Sequence, residues 1–169
     1  SHNLNVGMVG MHGNYGPNIL TNKCDLLIAI GMRFDDRVTG DPKTYASQAK
    51  IIHLDIDPAE INKNIITDVP VIGDCKESLK LITQKIEKKS HSKWISKFDD
   101  LMKIEFEKVI KTDLNPSKDG LTMGESIIAI NEYTNGDAII VTDVGQHQMV
   151  ACRYANFIKS KSNITSGGL

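Results

Sequence analysis

Leu26-Leu27-Ile28-Ala29-Ile30-Gly31 is a short, unbroken apolar run stopped by a glycine. An uninterrupted run of this length reads as a strand of a parallel sheet buried on both faces, because alternation with polar residues is expected where one face meets water. Ile51-Ile52-His53-Leu54-Asp55-Ile56 has the same character, and Val69-Pro70-Val71-Ile72 makes a third, shorter strand. Between the first two strands, residues 42–50 have room for a short helix. Residues 17–23, opened by Pro17 at a first-turn position, predict another helix before the first strand. Asp57-Pro58-Ala59-Glu60 joins an N-cap acceptor, a first-turn proline and a following carboxylate, which predicts a helix start. Gly73-Asp74 leads a further helix with Leu79, Ile82 and Ile86 on one face. This alternation specifies an α/β fold built on a doubly wound parallel sheet.

From residue 87 to about residue 119 the chain turns lysine-rich and polar, with Trp94, Phe98, Leu101 and Met102 at helical spacing. That pattern predicts an amphipathic linker helix whose aromatic stripe docks on a neighbouring domain rather than holding a cofactor. Thr122-Met123-Gly124-Glu125 is a capping-box sequence before an apolar helix reaching Tyr133. Asn135-Gly136-Asp137 is a turn, residues 138–142 a buried strand, and residues 146–157 a helix. The organisation expected is a nucleotide-binding-like unit over residues 1–88, a linker helix over 89–120 and the start of a second α/β unit over 121–169. The chain opens on Ser1 and closes on Ser166-Gly167-Gly168-Leu169, read as a flexible turn; a boundary inside a longer protein explains both ends.

With 169 residues, 40% of them hydrophobic and 24% charged, the chain is long enough for one ordinary domain or pieces of two. Its 20 basic and 21 acidic side chains leave a formal charge of -1, so no global field draws it to nucleic acid or anionic lipid. Cys24, Cys75 and Cys152 are odd in number and widely spaced, which fits reduced thiols that pack rather than bind metal. No apolar run approaches the about 18 residues a membrane helix requires, and no signal-peptide pattern opens the chain. The expected setting is therefore cytoplasmic, with no nucleic-acid or membrane partner.

In an open α/β sheet, ligands sit outside the carboxyl ends of the strands. The loop after Ile30 reads Gly31-Met32-Arg33-Phe34-Asp35-Asp36-Arg37-Val38-Thr39-Gly40, with glycines that allow close approach and two arginines able to grip phosphate. Arginine–aspartate pairing that merely orders the loop is the alternative. Asp55 suits a ribose hydroxyl or a capping role that Asp57 can fill alone, and Asp74 has the same two readings, ligand contact or N-cap, with the cap favoured. Val6-Gly7-Met8-Val9-Gly10-Met11-His12-Gly13 is glycine-rich without being a dinucleotide fingerprint or a Walker loop. His12 either contacts a ligand or fills a hydrogen-bonding niche. In Thr142-Asp143-Val144-Gly145-Gln146-His147-Gln148-Met149 a diphosphate could meet a helix N-terminus, or Asp143 could simply cap it. No nucleophile constellation stands out.

Taken together, Gly7-Met8-Val9-Gly10-Met11-His12-Gly13, the Gly31 to Gly40 string, His53-Leu54-Asp55-Ile56-Asp57-Pro58-Ala59-Glu60-Ile61 and the Thr142 to Met149 string resemble the large, catalytic subunits of acetolactate synthases. Those enzymes depend on thiamine diphosphate. The resemblance implies FAD contacts at Val9, Gly10, Met11, His12, Gly31, Met32, Arg33, Phe34, Asp35, Asp36, Arg37, Asp55, Ile56, Asp74 and Cys75, with the flavin in a structural role. It implies that Gln146 and His147 lie beside thiamine diphosphate, whose activating glutamate and Gly-Asp-Gly magnesium motif belong outside these residues. No catalytic residue and no metal ligand is therefore expected here, and the stretch alone is expected to be inactive.

The reaction implied is decarboxylation of pyruvate and transfer of its two-carbon unit to a second 2-keto acid, giving acetolactate or acetohydroxybutyrate for branched-chain amino-acid synthesis. The family further implies thiamine diphosphate, Mg2+ and FAD as cofactors, a homodimer or tetramer of catalytic subunits, a small regulatory subunit, and a plastid or mitochondrial setting as alternatives to the cytoplasm. Val150 stands where the family has tryptophan, and Asn14-Tyr15-Gly16-Pro17 departs from the usual stretch. A non-catalytic module for FAD or another adenine nucleotide is the alternative of a different class. Pyruvate oxidase, glyoxylate carboligase and oxalyl-CoA decarboxylase are alternatives within thiamine-diphosphate enzymes, each opposed by the Arg33 to Gly40 string.

Overall fold

A computed structural model describes residue 2, residues 4–116 and residues 119–166. The glycine turn expected at Gly167-Gly168 lies outside the described residues. Helix α1 (Tyr15–Thr21) precedes strand β1 (Leu26–Ile30); the short α2 (Asp36–Thr39) follows, then β2 (Lys50–Asp55) and β3 (Val69–Ile72). The three strands form one parallel sheet in the order β1-β2-β3, with Ile28 opposite Ile52 and Leu54 opposite Val71. At their carboxyl ends the chain stays tied to the central strand. The Gly31 amide donates to the Leu54 carbonyl at 2.8 Å, and the Gly73 amide to that of Asp55 at 2.9 Å.

Phe34, Tyr45, Ala46, Ala29, Ile51 and Ile65 form the core beneath this sheet, with Leu27, Met32, Val38 and Ala49 packed against it. Phe34 meets Tyr45 and His53 edge-on, with ring centroids 6.3 and 5.0 Å apart. The other side of β1 is open: Ile28 is 51% exposed and its neighbours Leu26 and Ile30 are exposed as well, so this strand is not covered on both faces.

Two expected helices are absent. Residues 42–50 run as turns into β2, because Tyr45 and Ala46 both go into the core and the polar groups bond backwards rather than along a helix. The Ala46 amide donates to Asn22 Oδ1 at 2.8 Å and Gln48 Nε2 to the Cys24 carbonyl at 2.7 Å. The segment after Asp57 is likewise turns. Asp57 Oδ1 accepts from the Ala59 amide at 2.9 Å, but Asn62 takes φ 59° and its Oδ1 accepts from the Thr67 amide at 2.8 Å, which folds the chain so that Ile65 reaches the core. Tertiary burial overrides the capping signal here. Helix α3 (Cys75–Thr83) does form, with Asp74 Oδ1 accepting from the Glu77 amide at 3.1 Å, and it ends before Ile86.

Helix α4 (Ser92–Glu105) packs across α1: Phe98 and Leu101 lie over Gly16, where an added Cβ would already be 3.6 Å from each. The helix then widens into a π-turn over Phe106–Ile110 before α5 (Lys111–Leu114). That single-residue insertion has a geometric consequence. In a regular helix Asp113, eight positions after Glu105, would sit about 80° round the axis from it; with one residue absorbed by the π-turn the separation is about 20°. Both carboxylates therefore face the same neighbour, α7 (Gln146–Tyr154), where they meet the consecutive residues Arg153 and Tyr154.

Helix α6 (Met123–Thr134) lies between α5 and α7 in sequence and opens on the full capping box: Thr122 Oγ1 accepts from the Glu125 amide at 3.1 Å, and Glu125 Oε2 accepts from the Thr122 amide at 2.8 Å. It ends at Asn135 in a left-handed conformation, φ 51°. Strand β4 (Ile140–Thr142) is shorter than the expected 138–142 and pairs in parallel with β5 (Asn163–Thr165), a strand the sequence did not announce. Helix α7 stops at Tyr154 rather than residue 157, where Asn131 Nδ2 donates to the Tyr154 carbonyl at 2.7 Å and ties it to α6.

Candidate functional site

The loop over residues 7–13 is folded tightly on itself. A Cβ on Gly13 would stand 2.3 Å from the Met8 carbonyl oxygen, so only glycine fits. The Asn14 amide donates to that same carbonyl at 2.8 Å, and Asn14 Oδ1 accepts from the Met8 amide at 3.1 Å. Asn18 in α1 holds Gly10 from both sides, accepting from its amide at 2.8 Å and donating to its carbonyl at 2.9 Å. The Met11 amide donates to the Arg37 carbonyl at 2.8 Å, which joins this loop to the one after β1. Met11 is exposed, while Val9 and His12 are half-buried.

At the end of β1, Gly31 has φ 60° and nothing within 4 Å of where a Cβ would stand, so the strand opens onto free space. Arg33 and Arg37 are exposed beside it. Arg33 Nε donates to Asp35 Oδ2 at 3.1 Å, and Asp35 Oδ1 accepts from the Arg37 amide at 3.0 Å to cap α2. A surface pair of this kind contributes only about 0–1 kcal/mol, so it orders the loop and leaves a guanidinium that an anion can capture. Asp36 is exposed in the first turn of α2 and Met32 half-buried. Phe34 behaves differently from its neighbours: it is 2% exposed, and its side chain belongs to the core. Asn64 Nδ2 donates to the Arg33 carbonyl at 3.0 Å, bringing the segment after β2 against the same loop.

Asp55 points inward. Its Oδ1 accepts from the Asp57 amide at 2.9 Å, and its Oδ2 lies 3.7 Å from His53 Nε2, beyond hydrogen-bonding distance. Neither ring nitrogen of the fully buried His53 has a hydrogen-bond partner. Ile56 is exposed at the strand end, Asp74 caps α3, and Cys75 is half-buried with its Sγ 3.9 Å from the Leu54 carbonyl oxygen. Asp74 thus has the capping role that was one of its two readings.

Gln146 and His147 are exposed at the start of α7. Ahead of them, the Val144 amide and then the Ser166 hydroxyl, both donating to Asp143, hold its carboxyl below the usual carboxylate value, with His147 adding to the effect. Gln148 is buried and donates from Nε2 to Thr165 Oγ1 at 2.8 Å, locking α7 to β5. Glu105 and Arg153 were not singled out in the sequence, yet they connect this helix to the residue 7–13 loop. Their one sequence signal was an acid and a base in helices of no evident relation.

Comparison with known proteins bears on this arrangement. Residues 1–82 match the family described as thiamine pyrophosphate enzyme, central domain. The acetolactate synthase large subunit of Lactococcus lactis is 40% identical over 171 residues, covering 100% of this chain and 29% of that protein. A probable acetolactate synthase large subunit of Methanococcus aeolicus is 41% identical, with 100% of this chain and 30% of that protein covered. The acetolactate synthase large subunit of Corynebacterium glutamicum is 42% identical over 100% of this chain and 27% of its own length. The chain therefore spans less than a third of these relatives, and its similarity to them runs through both halves. Its first 82 residues thus match the central domain of thiamine pyrophosphate enzymes, and along its whole length it is similar to acetolactate synthase large subunits.

Proposed function

We propose that the protein takes part in acetolactate synthesis, the decarboxylation of pyruvate and transfer of its two-carbon unit to a second 2-keto acid, and that these residues supply binding surface for its cofactors. One observation carries the reading: the Met11 amide to Arg37 carbonyl bond, which unites two glycine-bearing loops at the carboxyl edge of the sheet, where an α/β fold receives nucleotides. The residues fit a flavin dinucleotide. Gly31 leaves space for close approach, and Arg33 and Arg37 supply forked donors suited to a diphosphate. Val9, Gly10, Met11 and His12 form the opposing wall, while Asp35, Asp36, Ile56, Asp74, Cys75 and the backbone of Met32 and Phe34 line the strand ends. Asp55 reaches a ribose only by giving up its inward turn.

Thiamine diphosphate, when bound, supplies an electron sink for the decarboxylation. Gln146 and His147 are the residues assigned to hold its surroundings, from the exposed N-terminal turn of α7. The Mg2+ ligands are proposed to lie outside these residues, in the Gly-Asp-Gly motif that the resemblance implies. The proposed setting is the cytoplasm, in an assembly of catalytic subunits with a regulatory partner, and the proposed role of the flavin is structural.

The test is retention of FAD after desalting, read from the flavin absorbance, for the wild type and an Arg33→Ala, Asp55→Ala double variant. Retention by the wild type alone supports the flavin site. Equal retention by both, or none by either, rejects it.

A further inference from the structure

Glu105 closes α4 with its side chain only 3% exposed, and its two oxygens accept from three groups on two separate segments of chain. Oε1 accepts from Arg153 Nη1 at 2.7 Å and from Asn14 Nδ2 at 3.3 Å. Oε2 accepts from the amide of Tyr15, the first residue of α1, at 3.0 Å. Arg153 Nη2 donates onward to the Gly13 carbonyl at 3.1 Å. Among the lysine and arginine ion pairs of the described residues this is the most deeply buried, with Arg153 at 22%. A carboxylate so placed is stable only while its cation and hydrogen bonds are present.

The pair joins two places that the sequence keeps far apart. Gly13 closes the loop that carries Val9, Gly10, Met11 and His12, and Arg153 lies in the last turn of the helix that begins with Gln146 and His147. Helix α7 is stiff, and at a rise of about 1.5 Å per residue its first residue lies about 10 Å from Arg153, so a displacement at one end is transmitted to the other. We propose that Glu105 is a positioning residue that, through Arg153, holds the residue 7–13 loop and helix α7 in one fixed arrangement, so that the order of the flavin loop and the order of Gln146 and His147 rise and fall together. The cofactor part of this statement rests on the flavin reading above; the mechanical part does not.

Amide hydrogen exchange separates the two. Glu105→Gln keeps the shape and removes the charge, and it should speed exchange about tenfold or more at Tyr15 and at the Gln148 and Met149 amides together, while Leu54 in β2 holds its wild-type rate. Arg153→Gln should act alike, and Arg153→Lys should restore most of the protection. If Glu105→Gln fails to fold, the two Arg153 variants carry the comparison. Unchanged protection at Tyr15, loosening of one site without the other, or a loss shared by Leu54 would each overturn the proposal. FAD affinity should fall in the same order, about tenfold for Arg153→Gln and less for Arg153→Lys. A wild type that binds no FAD would reject the flavin reading, and the exchange rates would still decide the coupling.

Discussion

The backbone amide of Met11 donates to the carbonyl of Arg37 at 2.8 Å, and the residue just before it, Gly10, leaves no room for a side chain at that junction. At φ +93° a Cβ on Gly10 would stand 2.9 Å from the same carbonyl oxygen. Gly10→Ala should cost about 1–3 kcal/mol in backbone strain and displaced contacts. At about 2–4 °C per kcal/mol for a chain of this size, a melting curve by circular dichroism reads the loss directly, and an unchanged midpoint would show that the loop is not held as described.

Thr122 accepts from the Glu125 amide and also donates from its hydroxyl to the Asp113 carbonyl, so it anchors both α6 and the end of α5. Thr122→Ala should lower stability by about 0.5–2 kcal/mol, the usual range for a lost N-cap. Urea unfolding followed by far-ultraviolet dichroism measures it, with Thr122→Ser expected to stay close to the wild type.

The Tyr154 hydroxyl donates to Asp113 Oδ2 at 2.5 Å, and burial first, then this bond and the Asp113 charge, push its ionisation well above the ordinary tyrosine value. A folded-state value raised above the unfolded one gives stability that is complete below the unfolded pKa, about 10, and is lost as pH rises from there through the folded value. Tyr154→Phe should therefore be less stable than the wild type at pH 9, and the difference should shrink by pH 11. A difference that stays constant between the two would remove the linkage.

His53 is fully buried with neither ring nitrogen hydrogen-bonded, and a buried polar group left unpaired costs about 1–3 kcal/mol. His53→Leu keeps the apolar contact with Phe34 and removes that cost, so the melting midpoint should rise. A fall would mean that the imidazole has a partner, such as a buried water, that offsets the cost.

How much of this could be read in the chain differs by region. The apolar runs at 26–30 and 69–72 became strands with the same bounds, and Thr122 capped its helix, because each of these signals is local and nothing distant opposed it. The helices expected at 42–50 and after Asp57 failed where Ala46 and Ile65 were needed in the core, a demand that no local pattern records. At the site, Arg33, Arg37 and Gly31 stand in the strand-end loop where the glycine and arginine spacing put them, but the inward turn of Asp55, bonded by the Asp57 amide with His53 close by, has no signal in the local pattern. Glu105 and Arg153, 48 positions apart, meet through the packing of helices that no local pattern relates, and the π-turn that brings Asp113 round to the same side as Glu105 escapes periodicity counted at 3.6 residues per turn.

The most direct measurement is a fluorescence titration comparing FAD with riboflavin, on the wild type and on Arg33→Ala and Arg37→Ala. With the two arginines gripping the diphosphate, FAD should bind at least about tenfold more tightly than riboflavin, and each substitution should narrow that gap while leaving riboflavin unaffected. Equal affinity for FAD and riboflavin, or a gap that survives both substitutions, would contradict a flavin dinucleotide site at the carboxyl edge of this sheet.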